Sequence, residues 1–87
     1  MSDAALLDFP CDFPVKIMGR ESADFRTLAR GLVEKHTGHV DDDRVKSSLS
    51  RNGGFVSITV TVHAQSQQQL DEIYREISAH VEVLMAL

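Results

Sequence analysis

Four histidines, one cysteine and a run of three aspartates are the residues of this sequence with the most chemistry to offer. His36 and His39, followed by Asp41, Asp42 and Asp43, have the ligand types of a divalent-cation site. A zinc site needs three or four ligands converging from rigid positions. These straddle a helix end at Gly38, and the aspartate run lacks the spaced ligands and closing glutamate of a calcium loop. The segment reads as a solvated loop, and no metal ligand is assigned. Cys11 stands between Pro10 and Asp12 and reads as an inert terminal cysteine. No serine sits in a nucleophile elbow, and no glycine-rich loop is present to cradle a phosphate. Glu72 and Glu76, one turn apart with Arg75 between them, read as a solvated helical face rather than an acid–base pair. The chain is therefore expected to be non-enzymatic, with no catalytic residue and no cofactor. The alternative is an enzyme whose site forms between subunits, with His63 and His80 as first candidates.

Two binding features remain. Met18-Gly19-Arg20-Glu21 joins an expected strand to an expected helix, and a helix N-terminus can receive a carboxylate or phosphate. It is the candidate loop for a small anionic or amino-acid effector. The final segment offers Leu84 and Ala86 outward as well as an inward apolar set, and an edge strand apolar on both sides is a candidate association surface for a protein partner or a second copy.

The elements that position these residues follow from hydrophobic periodicity. Phe13, Val15 and Ile17 alternate with Pro14, Lys16 and Met18, a strand over about residues 12–18 that Gly19 ends. Ser22 caps a helix whose apolar stripe is Phe25, Leu28, Ala29, Leu32 and Val33, with Gly38 just past its end. Gly31 inside it costs about 1 kcal/mol relative to alanine. A weak strand is expected over Arg44–Ser50. Asn52-Gly53 then predicts a type I′ hairpin turn. Phe55–Ala64 is the strongest strand, with Val56, Ile58, Val60 and Val62 on one side and Ser57, Thr59, Thr61 and His63 on the other. Ser66 and Gln69 form a capping box ahead of a second stripe, Leu70, Ile73, Tyr74 and Ile77. Val81, Val83, Met85 and Leu87 predict a closing strand.

This order is βαββαβ, an α+β ferredoxin-like two-layer sandwich: a four-stranded antiparallel sheet, order 4-1-3-2, with both helices on one face. Residues 1–10 are expected to be an arm and 11–87 the single domain. With 87 residues, the chain buries about 60–65% of its unfolded surface. That leaves little room for a deep pocket, so a ligand site is expected on a face, an edge or an interface.

Composition narrows the partners. Net charge is −4, and the basic residues are scattered, with only Arg44, Lys46 and Arg51 gathering locally. This argues against nucleic acid and against an anionic membrane surface. RNA-recognition motifs share the topology, but the outward positions Lys16, Met18, Ser57, Thr59 and Thr61 lack their stacking aromatics. No stretch approaches the ~18 apolar residues of a membrane span, and the N-terminus lacks the pattern of a secretion signal. The lone cysteine allows no internal disulfide. A cytoplasmic protein is expected.

Phe9-Pro10, then FPVKIMG from Phe13 to Gly19, and the run from Val45 to Leu87 with its VSITV, Gln69, Ile73-Tyr74 and terminal Val83–Leu87, resemble the YbeD-like family of small bacterial proteins of unknown function. The likeness covers most of the chain beyond the first eight residues. It implies a fold similar to ACT regulatory domains, which bind amino acids and pair with other subunits. It also implies a link to lipoate or amino-acid metabolism. ACT-type domains often bind their effector at a glycine-containing loop after the first strand, a place that Gly19 occupies here. The resemblance supplies no catalytic residue.

Overall fold

The structure, a computed structural model, describes residues 7–87. Its elements are β1 (Cys11–Arg20), α1 (Ala23–Thr37), a 3₁₀ turn (Asp42–Arg44), β2 (Val45–Leu49), β3 (Phe55–Ala64), α2 (Gln67–Ala79) and β4 (Met85–Ala86). The sheet order is β2-β3-β1-β4, with every pairing antiparallel. This is the expected 4-1-3-2 sheet read from the other edge, so the ferredoxin-like arrangement is borne out.

The core forms where the two periodicities meet. Val15 and Ile17 of β1 and Val56, Ile58, Val60, Val62 and Ala64 of β3 alternate toward the helices. The helices return Phe25, Ala29, Leu32 and Val33 from α1 and Leu70, Ile73 and Ile77 from α2. Among the described residues no polar or charged side chain is buried. Leu28, Tyr74, Phe13, Val83 and Ala86 close the margins, with the Phe13 and Tyr74 rings edge-on at 6.4 Å. Most of the arm expected over residues 1–10 lies outside the described residues, but Phe9 packs against the core.

Both helix starts are set by serine. Ser22 Oγ accepts from Phe25 N at 2.9 Å and Ser66 Oγ from Gln69 N at 3.1 Å, each cap contributing about 1 kcal/mol. Gln69 departs from the expected box: its Oε1 accepts from Gln65 N at 2.8 Å, one residue before the cap, and its Nε2 donates to His36 O at 3.0 Å. One side chain thus closes α2 and ties it to the last turn of α1.

Three expectations need correction. β1 does not stop at Gly19. It runs on to Arg20, with Gly19 opposite Val56 and Arg20 opposite Phe55, because β3 is long enough to pair with both. The hairpin turn is not type I′, since that turn needs positive φ at both central residues and only Gly53, at 76°, has it. Gly53 N instead donates to Ser50 O at 2.9 Å, and Asn52 Oδ1 accepts from Gly54 N at 3.2 Å. The asparagine serves through its side chain. Finally, the closing strand is brief and its phase is reversed. Val83 N donates to His80 O at 3.1 Å, so a turn consumes Val81 and Glu82 and resets the alternation. Val81, expected inward, is 86% exposed.

Candidate functional site

Because both helices cover one side of the sheet, the other side is bare, and the register writes out its rows. Lys46 of β2, Thr59 of β3 and Lys16 of β1 stand abreast, with Leu87 joined to Lys16 by reciprocal backbone bonds of 2.8 and 2.9 Å. The next row is Ser48, Ser57, Met18 and Met85. At one end Arg20 and Phe55 are paired, the guanidinium 5.7 Å from the ring centroid. At the other end Asp12 faces His63. Phe55 is the one aromatic on these rows, and it was not among the outward positions expected from the sequence.

The candidate effector loop is not a loop in the fold. Gly19 is buried inside β1, and a Cβ there would lie 2.4 Å from the Phe25 ring and 2.9 Å from Glu82 O. The glycine makes room for that ring. Met18 and Arg20 project to the bare face, while Glu21 turns to α1, where Arg26 Nε donates to its Oε1 at 3.0 Å. Met18, Gly19, Arg20 and Glu21 therefore point three ways and do not converge.

The candidate association residues divide too. Leu84 is 60% exposed and its N–H donates to Met18 O at 2.8 Å. Ala86, expected outward, lies opposite the buried Ile17 and packs against the core. The alternation reset at His80 brings Met85 and Leu87 to the bare face in its place.

The titratable side chains form clasps between elements. Asp12 Oδ1 lies 3.1 Å from His63 Nδ1 and accepts from Arg44 at 3.3 Å, and Arg44 also donates to Thr61 O. The Arg44 guanidinium, then the His63 ring, hold the Asp12 carboxyl below its usual range. Glu76 joins the helices, with Lys35 Nζ bonded to one oxygen and His36 Nε2 2.6 Å from the other. Lys35 first and His36 second lower its pKa. Glu34 accepts from Val40 N at 2.8 Å, which lowers its pKa most, and Arg30 adds to the effect. Arg30 also donates to Asp42 at 2.7 Å and to Val40 O, and it lowers the Asp42 pKa. Burial raises the Tyr74 phenol, whose Oη donates to Leu87 O at 2.6 Å. Each of these displaced carboxyls is displaced downward, the direction of a structural ion pair and the opposite of a general acid.

The remaining histidines are dispersed. His39 is 3.5 Å from both Glu34 and Asp41. It shares with His63, Asp41 and Arg44 the wall of a shallow depression of about 240 Å³. That neighbourhood joins residues distant in sequence, and only the strand register could have signalled it. His80 Nδ1 accepts from Glu82 N at 3.1 Å, on the helix side. His63 and His80 therefore stand on opposite faces of the chain. Among the described residues no three His, Cys, Asp or Glu side chains are grouped to hold a metal ion. Among the same residues no helix is long and apolar enough to cross a membrane.

Comparison with known proteins gives a family and a fold. The family described as "Protein of unknown function (DUF493)" matches residues 4–87. A UPF0250 protein of Paraburkholderia phymatum is 40% identical over 83 residues, covering 95% of this chain and 93% of that one. A UPF0250 protein of Chromobacterium violaceum is 42% identical over 82 residues, covering 94% and 92%. The solution structure of HP0495 from H. pylori superposes with a TM-score of 0.69 at 20% identity, covering 94% of this chain and 86% of that one. That likeness shows a shared fold. The YbeD-like resemblance and the matched family agree: the chain belongs to the DUF493, or UPF0250, family of small bacterial proteins of unknown function.

Proposed function

We propose that this chain is a non-enzymatic regulatory or interaction domain of the cytoplasm, ACT-like in form. It acts by binding a protein partner or a small anionic effector rather than by turning over a substrate. The observation that carries the reading is the contrast between its two sides. On the helix side Arg26, Arg30 and Lys35 are each held in ion pairs, while the sheet face leaves Lys16, Arg20 and Lys46 without carboxylate partners among the described residues. Exposed Met85 and Leu87 stand beside them. A face with unpaired cations and exposed apolar side chains is suited to contact.

Affinity capture on the full chain from its native cell, followed by reconstitution with each recovered protein, tests this. A partner or effector that binds only the folded chain must raise its apparent stability, by about 2.7 kcal/mol at a hundredfold excess over Kd. The expected result is a stoichiometric complex, or an amino acid or other small carboxylate, that raises the melting temperature. A chain stabilised by neither, yet consuming a metabolite, would contradict the reading.

A further inference from the structure

We infer that the bare sheet face is a docking surface for an acidic protein segment with an apolar anchor, seated between Lys16 and Lys46. This rests on the binding role proposed above and names the chemistry of the partner.

The charge distribution favours this occupant. The chain has nine lysines and arginines against thirteen acids, so carboxylate partners for its cations are in excess. Arg26, Arg30, Lys35 and Arg44 are held by them, while Arg51 in the turn and Arg75 on α2 have no such partner among the described residues. Lys16, Arg20 and Lys46 are exposed on one face with no such partner among the described residues. That face carries a single acidic side chain on its rows, Asp12, which Arg44 and His63 already engage. The net charge is −4, yet this surface is cationic.

The shape of the face favours it as well. Lys46, Thr59 and Lys16 are successive in one row, which sets the two ammonium-bearing strands about 10 Å apart. Thr59 between them is small and uncharged. One row over, Met18 faces Met85, which is 51% exposed, and Leu87 beside Lys16 is 61% exposed. Flexible thioethers adapt to an apolar side chain laid across them. Carboxylates flanking that side chain then reach the two lysines, as in acidic-motif recognition by basic clusters.

A second copy of this chain fits worse. Face-to-face pairing is isologous and would bring the cationic rows of two copies together. Nucleic acid fits worse as well, since Phe55 is the only aromatic on these rows and lies at one end under Arg20.

The test is selection from an unbiased random-peptide display library on the full chain, followed by anisotropy titration of the enriched peptide. The expected peptides carry excess Asp and Glu around a Leu, Ile or Phe. Their affinity falls with added salt and weakens about tenfold in the double variant K16E/K46E. R75E on α2 leaves it unchanged. If K16E/K46E melts early, K16Q/K46Q replaces it, with a smaller loss in the same direction. The inference is overturned by enriched peptides without acidic excess, by binding equally sensitive to R75E, by a single-stranded RNA that binds through Lys16 and Lys46 when the peptide does not, or by a dimer that the lysine variants dissociate. A peptide that binds tightly on the helix layer would sink this inference and leave the binding role standing.

Discussion

Gly19 and Gly31 look alike in the sequence, each a glycine beside good element formers, and the structure gives them opposite meanings. A methyl at Gly19 would press on the Phe25 ring at 2.4 Å and on backbone at 2.9 Å. Gly19→Ala should therefore destabilise by about 1–3 kcal/mol through overpacking. A methyl at Gly31 meets nothing within 4 Å, and the position lies inside α1. Gly31→Ala should stabilise by about 0.5–1 kcal/mol through helix propensity. Chemical denaturation of both variants reads the pair of signs, and stabilisation by Gly19→Ala would refute the packing argument. The sequence identified both glycines without their reasons. Whether a ring lands on Gly19 depends on the angle at which α1 crosses the sheet, which no local pattern carries. The same limit applies to Asp12, Arg44 and His63, which meet only through the strand register.

At the scale of elements, the legible parts were those with local chemistry. Ser22 and Ser66 announce the two helix starts, and the alternation Val56, Ile58, Val60, Val62 announces the central strand. The hairpin and the last strand were misjudged where a turn overrides a pattern: Asn52 caps Gly54 with its side chain, and the His80–Val83 turn shifts the following phase. How the helices fasten to each other was also invisible, because Lys35 and His36 lie far from Glu76 in the chain. The Glu76 clasp makes a pH prediction. Its folded-state pKa is lowered, chiefly by Lys35, so the stability it contributes is present above the usual carboxylate range and lost as pH falls through it. Glu76→Gln should melt earlier than the parent at neutral pH, with the gap closing below about pH 4. Melting curves across pH 2–7 check this, and a gap that widens on acidification would exclude the clasp as its source.

For the whole molecule, the layer arrangement was legible because each helix has one apolar stripe and the sheet alternates, which forces two layers and leaves one face uncovered. Its chemistry was less legible. Net charge hid the cationic rows, since the acids lie elsewhere on the surface, and the last strand's reset phase hid Met85 and Leu87. The acidic total that argues against polyanion binding therefore describes the helix side better than the sheet side. Electrostatic attraction at such a face should act mainly on the association rate and decline with ionic strength.

The central claim is that this chain works through the bare face of its sheet. Photo-cross-linking in the native cell tests it most directly, with a photoreactive phenylalanine in place of Thr59 at the centre of that face and, separately, in place of exposed Ser78 on α2. The account predicts a discrete adduct from Thr59 that K16E/K46E abolishes, and none from Ser78. Adducts from Ser78 with none from Thr59 would contradict it.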